Sequence, residues 1–143
     1  RDVLGSRGLG DVYKRQEVQA QEERDHAMLF YRYLLNNGET VTLEAIDAPK
    51  TEGKKDLDVL EAALAHEKYV TALVNDIYAA AYAVKDFRAM QFLDWFVKEQ
   101  GEEEKNASDL ITKMQLFGSD AKGLYMLDNE LKARVYSAPS LVL

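Results

Sequence analysis

Three stretches of the chain place carboxylates where a helix should bury apolar side chains. The first is Ala20-Gln21-Glu22-Glu23-Arg24-Asp25-His26. At about 100° per residue, the apolar face of this segment runs through Phe30, Tyr33 and Leu34. Glu23 and His26 fall on that face and Glu22 lies at its margin, whereas Arg24, Asp25 and Arg32 point away. A buried carboxylate without a partner costs several kcal/mol, so it calls for a hydrogen-bonding partner, a counter-charge or a metal ion. One such segment reads equally well as a solvated charge run, but the pattern recurs twice.

The second stretch centres on Glu67. Leu57, Leu60, Leu64, Val74, Tyr78 and Ala81 form a ladder at alternating three- and four-residue spacing, and Glu67 and Thr71 occupy rungs of it. His66 lies at the edge of the face and reads as an interfacial, hydrogen-bonded histidine. The third stretch is Glu99-Gln100-Gly101-Glu102-Glu103-Glu104, between Phe92 and Phe96 on one side and Ala107, Leu110 and Met114 on the other. Glu99, Gln100 and Glu103 continue the apolar face through its centre, while Glu102 and Glu104 lie at its flanks. Carboxylates with a single imidazole, one turn from a Glu, suit iron or manganese better than a structural zinc site.

The elements that must position these groups are helices. One is expected from about residue 17 to 36, stopped by Asn37-Gly38, and others from about 56 to 85, 87 to 117 and 122 to 134. Residues 39–53 form a long connection containing Pro49, and Val41-Thr42-Leu43 is too short to require a strand. Such a connection allows the helices flanking it to run parallel. Trp95 and Phe96 read as packing residues, and Tyr125 and Leu127 as the residues that dock the last helix.

The chain has 143 residues, 47% hydrophobic and 30% charged, with a formal net charge of −7. An acidic balance argues against nonspecific nucleic-acid binding. The absence of cysteine excludes thiolate metal sites and disulfides and fits a cytoplasmic location. No apolar run is long enough for a membrane span. Met28, Met90, Met114 and Met126 form no haem or copper motif.

Four segments, AQEERDH (20–26), AHEKYVT (65–71), FLDWFVKEQGEEE (92–104) and GLYMLDNEL (123–131), make the chain resemble the bacterial non-haem ferritins over about residues 17–131. That resemblance implies an all-α, ferritin-like four-helix bundle with a short C-terminal helix. It implies iron storage and detoxification, with Fe(II) oxidised by dioxygen at a di-iron ferroxidase centre and Fe(III) mineral held in a homo-oligomeric cage, of twenty-four subunits in that family. By the same resemblance Glu23 would bridge two irons, His26 would bind the first, and Glu67 and Gln100 would serve the second. Glu22, Glu99 and Glu103, with Glu102 beside them, would form a third iron site. Gln100 stands where a symmetric centre would have a second Glu-x-x-His motif, which separates the chain from the haem-binding bacterioferritins.

Residues 1–16, RDVLGSRGLGDVYKRQ, resemble no ferritin segment and do resemble a translated sequencing adapter. The expectation is a non-native leader over 1–16, a partial ferritin-like domain over 17–143, and a bundle lacking its first helix with the Glu and Tyr it supplies. Asp11 to Gln16 contains no Gly or Pro and can extend the following helix by chance. A second reading follows: an incomplete, non-catalytic bundle that binds iron weakly or associates through an exposed groove. Rubrerythrin-like peroxidases are disfavoured by the missing cysteine-rich module, and DNA-protecting mini-ferritins by their different helical order.

Overall fold

The computed structural model describes residues 10–48 and 55–143. It contains three long helices, α1 (Gly10–Asn36), α2 (Asp56–Ala83) and α3 (Phe87–Phe117), and a short one, α4 (Ala121–Lys132). The expected all-α fold is observed. The bounds of α3 agree with the sequence pattern, whereas α1 begins seven residues before the expected start at 17. Residues 11–16 offer nothing that breaks a helix, so the turns already formed propagate through them. Residues 1–9 and 49–54, which include most of the leader and Pro49, lie outside the described residues. Residues 39–48 contain neither helix nor strand. Among the described residues, no helix is long and apolar enough to cross a membrane.

The chain divides into two units, residues 1–50 with 119–143, and residues 51–118. In the second unit α2 and α3 pack as a helical hairpin. Asp56 and Asp58 lie in the first turn of α2, where the helix dipole favours anions, and the Asp58 carboxylate accepts a hydrogen bond from the Lys55 N–H at 3.1 Å. At the other end, Lys85 N–H donates to the Tyr82 carbonyl and Asp86 N–H to the Ala81 carbonyl, a Schellman stop. That stop puts Lys85 in the left-handed region, at φ 59°. Asp86 then caps α3, accepting from Ala89 N–H at 3.0 Å. Leu60, Val74 and Ala81 from α2 and Phe92, Leu93, Phe96, Ala107 and Leu110 from α3 are the buried apolar residues of this unit. Phe96 stacks edge-on to Trp95 at 5.0 Å and tilted to Phe92 at 5.1 Å, as expected of packing aromatics.

In the first unit α1 packs on α4. Helix α1 ends in the same motif as α2, with Gly38 N–H donating to Leu35 and Glu39 N–H to Leu34. Here a glycine holds the left-handed position, at φ 77°. Asp120 caps α4 through Gly123 N–H at 2.7 Å. Leu29, Leu127 and Leu131 are buried, whereas Tyr125 is 67% exposed and does not dock the last helix. At i−2 from Leu127 it lies on the opposite side of α4, so only Leu127 carries the expected docking role.

Candidate metal-binding side chains

In the first unit, Glu22, Glu23 and His26 project from neighbouring turns of α1. His26 is buried and Glu23 is partly exposed, with His26 Nδ1 3.5 Å from Glu23 Oε2. Gln19 Nε2 donates to the other Glu23 oxygen at 3.2 Å, so both oxygens of this carboxylate face a polar side chain on the same helix. Glu22 takes a partner from far along the chain: the guanidinium of Arg134 donates to its Oε2, and the same nitrogen donates to Gln19 Oε1 at 2.9 Å. Tyr136 Oη donates to Asp25 Oδ2. That bond raises the Tyr136 pKa above the ordinary phenol value, with burial and the negative charges of Asp25 and Glu22 adding to it.

In the second unit, Glu67 and Thr71 stand one turn apart on α2 and face Gln100 and Glu104 on α3. Gln100 Nε2 donates to the Glu67 carbonyl at 3.1 Å, to Glu67 Oε2 at 3.3 Å and to Thr71 Oγ1 at 3.3 Å. A carbonyl and a carboxylate can only accept, so the nitrogen end of the Gln100 amide faces Glu67. Thr71 lies 2.6 Å from Glu104 Oε1 and 3.0 Å from the Glu67 carbonyl, and its one proton serves one of these acceptors at a time. Gln100 and Glu103 are 4% and 6% exposed, and Glu99 is partly buried. Glu102 is exposed and 3.9 Å from Lys98, as a solvated flank position would be. His66 is exposed, with its ring 6.2 Å from that of Tyr69, rather than interfacial.

The expected ligands thus fall into two groups: Glu22, Glu23 and His26 in one unit, and Glu67 bonded to Gln100, with Glu99 and Glu103 on α3, in the other. Among the described residues, no three carboxylate or imidazole side chains gather as a ready-made metal-holding cluster. Periodicity put Glu104 at a flank, but the structure gives it a bond across the hairpin to Thr71. Nothing in the local pattern pointed to Arg134 or Tyr136, which lie beyond the last helix.

The Ferritin-like domain family matches residues 3–117, a span that begins inside the stretch read as a leader. A probable bacterial non-haem ferritin-like protein of Haemophilus influenzae is 36% identical over 124 residues, covering 87% of this chain and 75% of that protein. The bacterial non-haem ferritin of Staphylococcus haemolyticus is 37% identical over 118 residues, 82% of this chain and 71% of the relative. Among solved structures, a humanized archaeal ferritin superposes with a TM-score of 0.87 at 35% identity, over 93% of this chain and 81% of that one. An open-pore ferritin from Archaeoglobus fulgidus gives 0.84 at 36% identity, over 94% and 81%.

Proposed function

Since the chain belongs to the ferritin family of iron-storage proteins, alongside the bacterial non-haem ferritins, we propose that it oxidises Fe(II) with dioxygen at a di-iron site and passes Fe(III) to a mineral store within a homo-oligomeric cage in the cytoplasm. The observation that carries this reading is the burial of Gln100 and Glu103, at 4% and 6% exposure, in an acidic run that would otherwise be a solvated surface. Glu67, bonded to Gln100 across the α2–α3 hairpin, belongs to the same arrangement.

In this proposal Glu23 and His26 on α1, and Glu67 on α2, would supply ligands for the Fe(II) ions. Carboxylates suit both oxidation states: they are hard oxygen donors that stabilise Fe(III) and can shift between terminal and bridging modes. Each Fe(II) would give up one electron, so two ions would reduce one dioxygen molecule to the level of hydrogen peroxide, with two protons taken from water. Gln100 contributes in two ways. Its Nε2 orients the Glu67 carboxylate, and only its Oε1 carries a lone pair fit for a metal ion. Glu22 on α1, and Glu99 and Glu103 on α3, would serve as auxiliary iron ligands. No ligand is assigned to residues 1–16, so the iron-binding part is residues 17–143.

The test is rapid mixing of the full chain with Fe(II) and air, followed by absorbance of Fe(III). A fast, saturable phase is expected. Glu23→Ala and Glu67→Ala should remove it, each by more than the roughly 10- to 100-fold loss typical of an outer-shell partner. Glu103→Ala should leave the first turnover fast and change the amount of iron taken up. Oxidation at the uncatalysed rate in all variants, wild type included, would instead favour a non-catalytic bundle.

A further inference from the structure

Glu22, read above as an iron ligand, is paired with a cation of the protein's own, Arg134. Glu22 is largely buried, at 12% side-chain exposure, and Arg134 is 23% exposed. Their ion pair is therefore shielded from the solvent that weakens surface pairs. Three contacts hold the segment around Arg134 there. Arg134 follows directly on the Ala133 cap of α4 and its N–H donates to the Leu131 carbonyl at 3.3 Å. On one side Lys14 Nζ donates to the Lys132 carbonyl at 3.1 Å, and on the other Tyr136 holds Asp25, one turn of α1 beyond Glu22. The chain after α4 thus runs along α1, with Arg134 delivered to Glu22 and Gln19 between two anchors.

A carboxylate bonded to a guanidinium cannot give the same oxygen to a metal ion without releasing it. We propose that Arg134 gates Glu22 as a metal ligand: it neutralises Glu22 and holds it in place until an incoming metal ion displaces the guanidinium. The gate favours ions of high charge density, because a weakly binding cation cannot recover the lost charge-assisted bond. That bond is worth at least about tenfold in an equilibrium constant. This inference rests on the reading of Glu22 as an iron ligand.

The experiment is a luminescence titration of the full chain with trivalent terbium, an oxygen-seeking probe for carboxylate sites. Arg134→Gln should bind terbium about tenfold more tightly at the affected class of sites. Arg134→Lys, which keeps the charge, should return the affinity toward wild type. A merely structural role for Arg134 predicts the reverse, weaker binding on its removal. Glu22→Gln run in parallel separates the two ideas. If Glu22→Gln weakens binding but Arg134→Gln leaves it unchanged or weakens it, the gate is overturned and the site reading survives. If Glu22→Gln has no effect, the site reading fails and the gate with it. In the unaltered chain, filling the site with diamagnetic lutetium should shift the Arg134 Nε–H resonance, and an unmoved resonance with the site filled would also overturn the gate.

Discussion

The two units treat their carboxylates differently. On α1, Glu22 meets the full positive charge of Arg134 from a segment 112 residues away. Across the α2–α3 hairpin, Glu67 meets the neutral amide of Gln100 and Glu104 meets the neutral hydroxyl of Thr71, at a separation of 33 residues. A neutral donor orients a carboxylate and leaves its charge available to a cation, whereas a guanidinium orients and neutralises it. In the proposed scheme the hairpin pair receives a metal ion directly, whereas at Glu22 an ion must displace Arg134.

Five substitutions sharpen that contrast, from the largest effect to the smallest. Leu93 is 1% exposed in the core of the hairpin unit. Leu93→Ala should cost about 2–5 kcal/mol in denaturant unfolding, by lost burial and the cavity it leaves. A cost under about 1 kcal/mol would mean that the hairpin is not held by this core. Thr71→Val keeps the side-chain shape and removes the hydroxyl that Glu104 and Gln100 share. The expected loss is about 1–3 kcal/mol, because a partly buried carboxylate loses its donor. If stability is unchanged, solvent already satisfies Glu104 and the network across the hairpin is incidental.

The helix stops give a matched pair. Gly38 and Lys85 occupy equivalent left-handed positions, and no atom lies within 4 Å of a Cβ built on Gly38. Gly38→Ala should therefore destabilise by backbone strain alone, about 1–2 kcal/mol. Lys85→Gly relieves the same strain and should stabilise by up to about 1 kcal/mol. Thermal unfolding of both variants checks the opposite signs. The smallest effect is in Tyr136, whose bond to Asp25 favours the protonated phenol in the folded chain. With the folded pKa above the unfolded one, this contribution is complete below the ordinary phenol value and fades as pH rises through the folded value. Tyr136→Phe should remove one late-titrating tyrosine from the ultraviolet absorbance curve and flatten that alkaline loss. A curve that loses an ordinary tyrosine instead would break the tail's second anchor.

Much of the helical layout was legible because it is written in short-range periodicity. The Glu67 rung, the phase of Gln100 and Glu103 against Phe92 and Phe96, and the stop at Asn37-Gly38 all depend on residues a few positions apart. Lys85 was not legible as a left-handed stop, because the usual glycine is absent and the conformation is imposed by the hairpin. Tyr125 is aromatic but out of phase with Leu127 and Leu131, and phase decided its exposure. Arg134 and Tyr136 were invisible for a different reason: a contact between segments over 100 residues apart leaves no period in the sequence.

The central claim is that Glu23, His26 and Glu67 hold iron. Crystals of the full chain soaked anaerobically in Fe(II) would test it through anomalous scattering at the iron edge. The account predicts iron peaks within ordinary bonding distance of the Glu23 and Glu67 carboxylates and the His26 ring. Iron confined to exposed acidic side chains, with none of these three residues in contact with a peak, would contradict it.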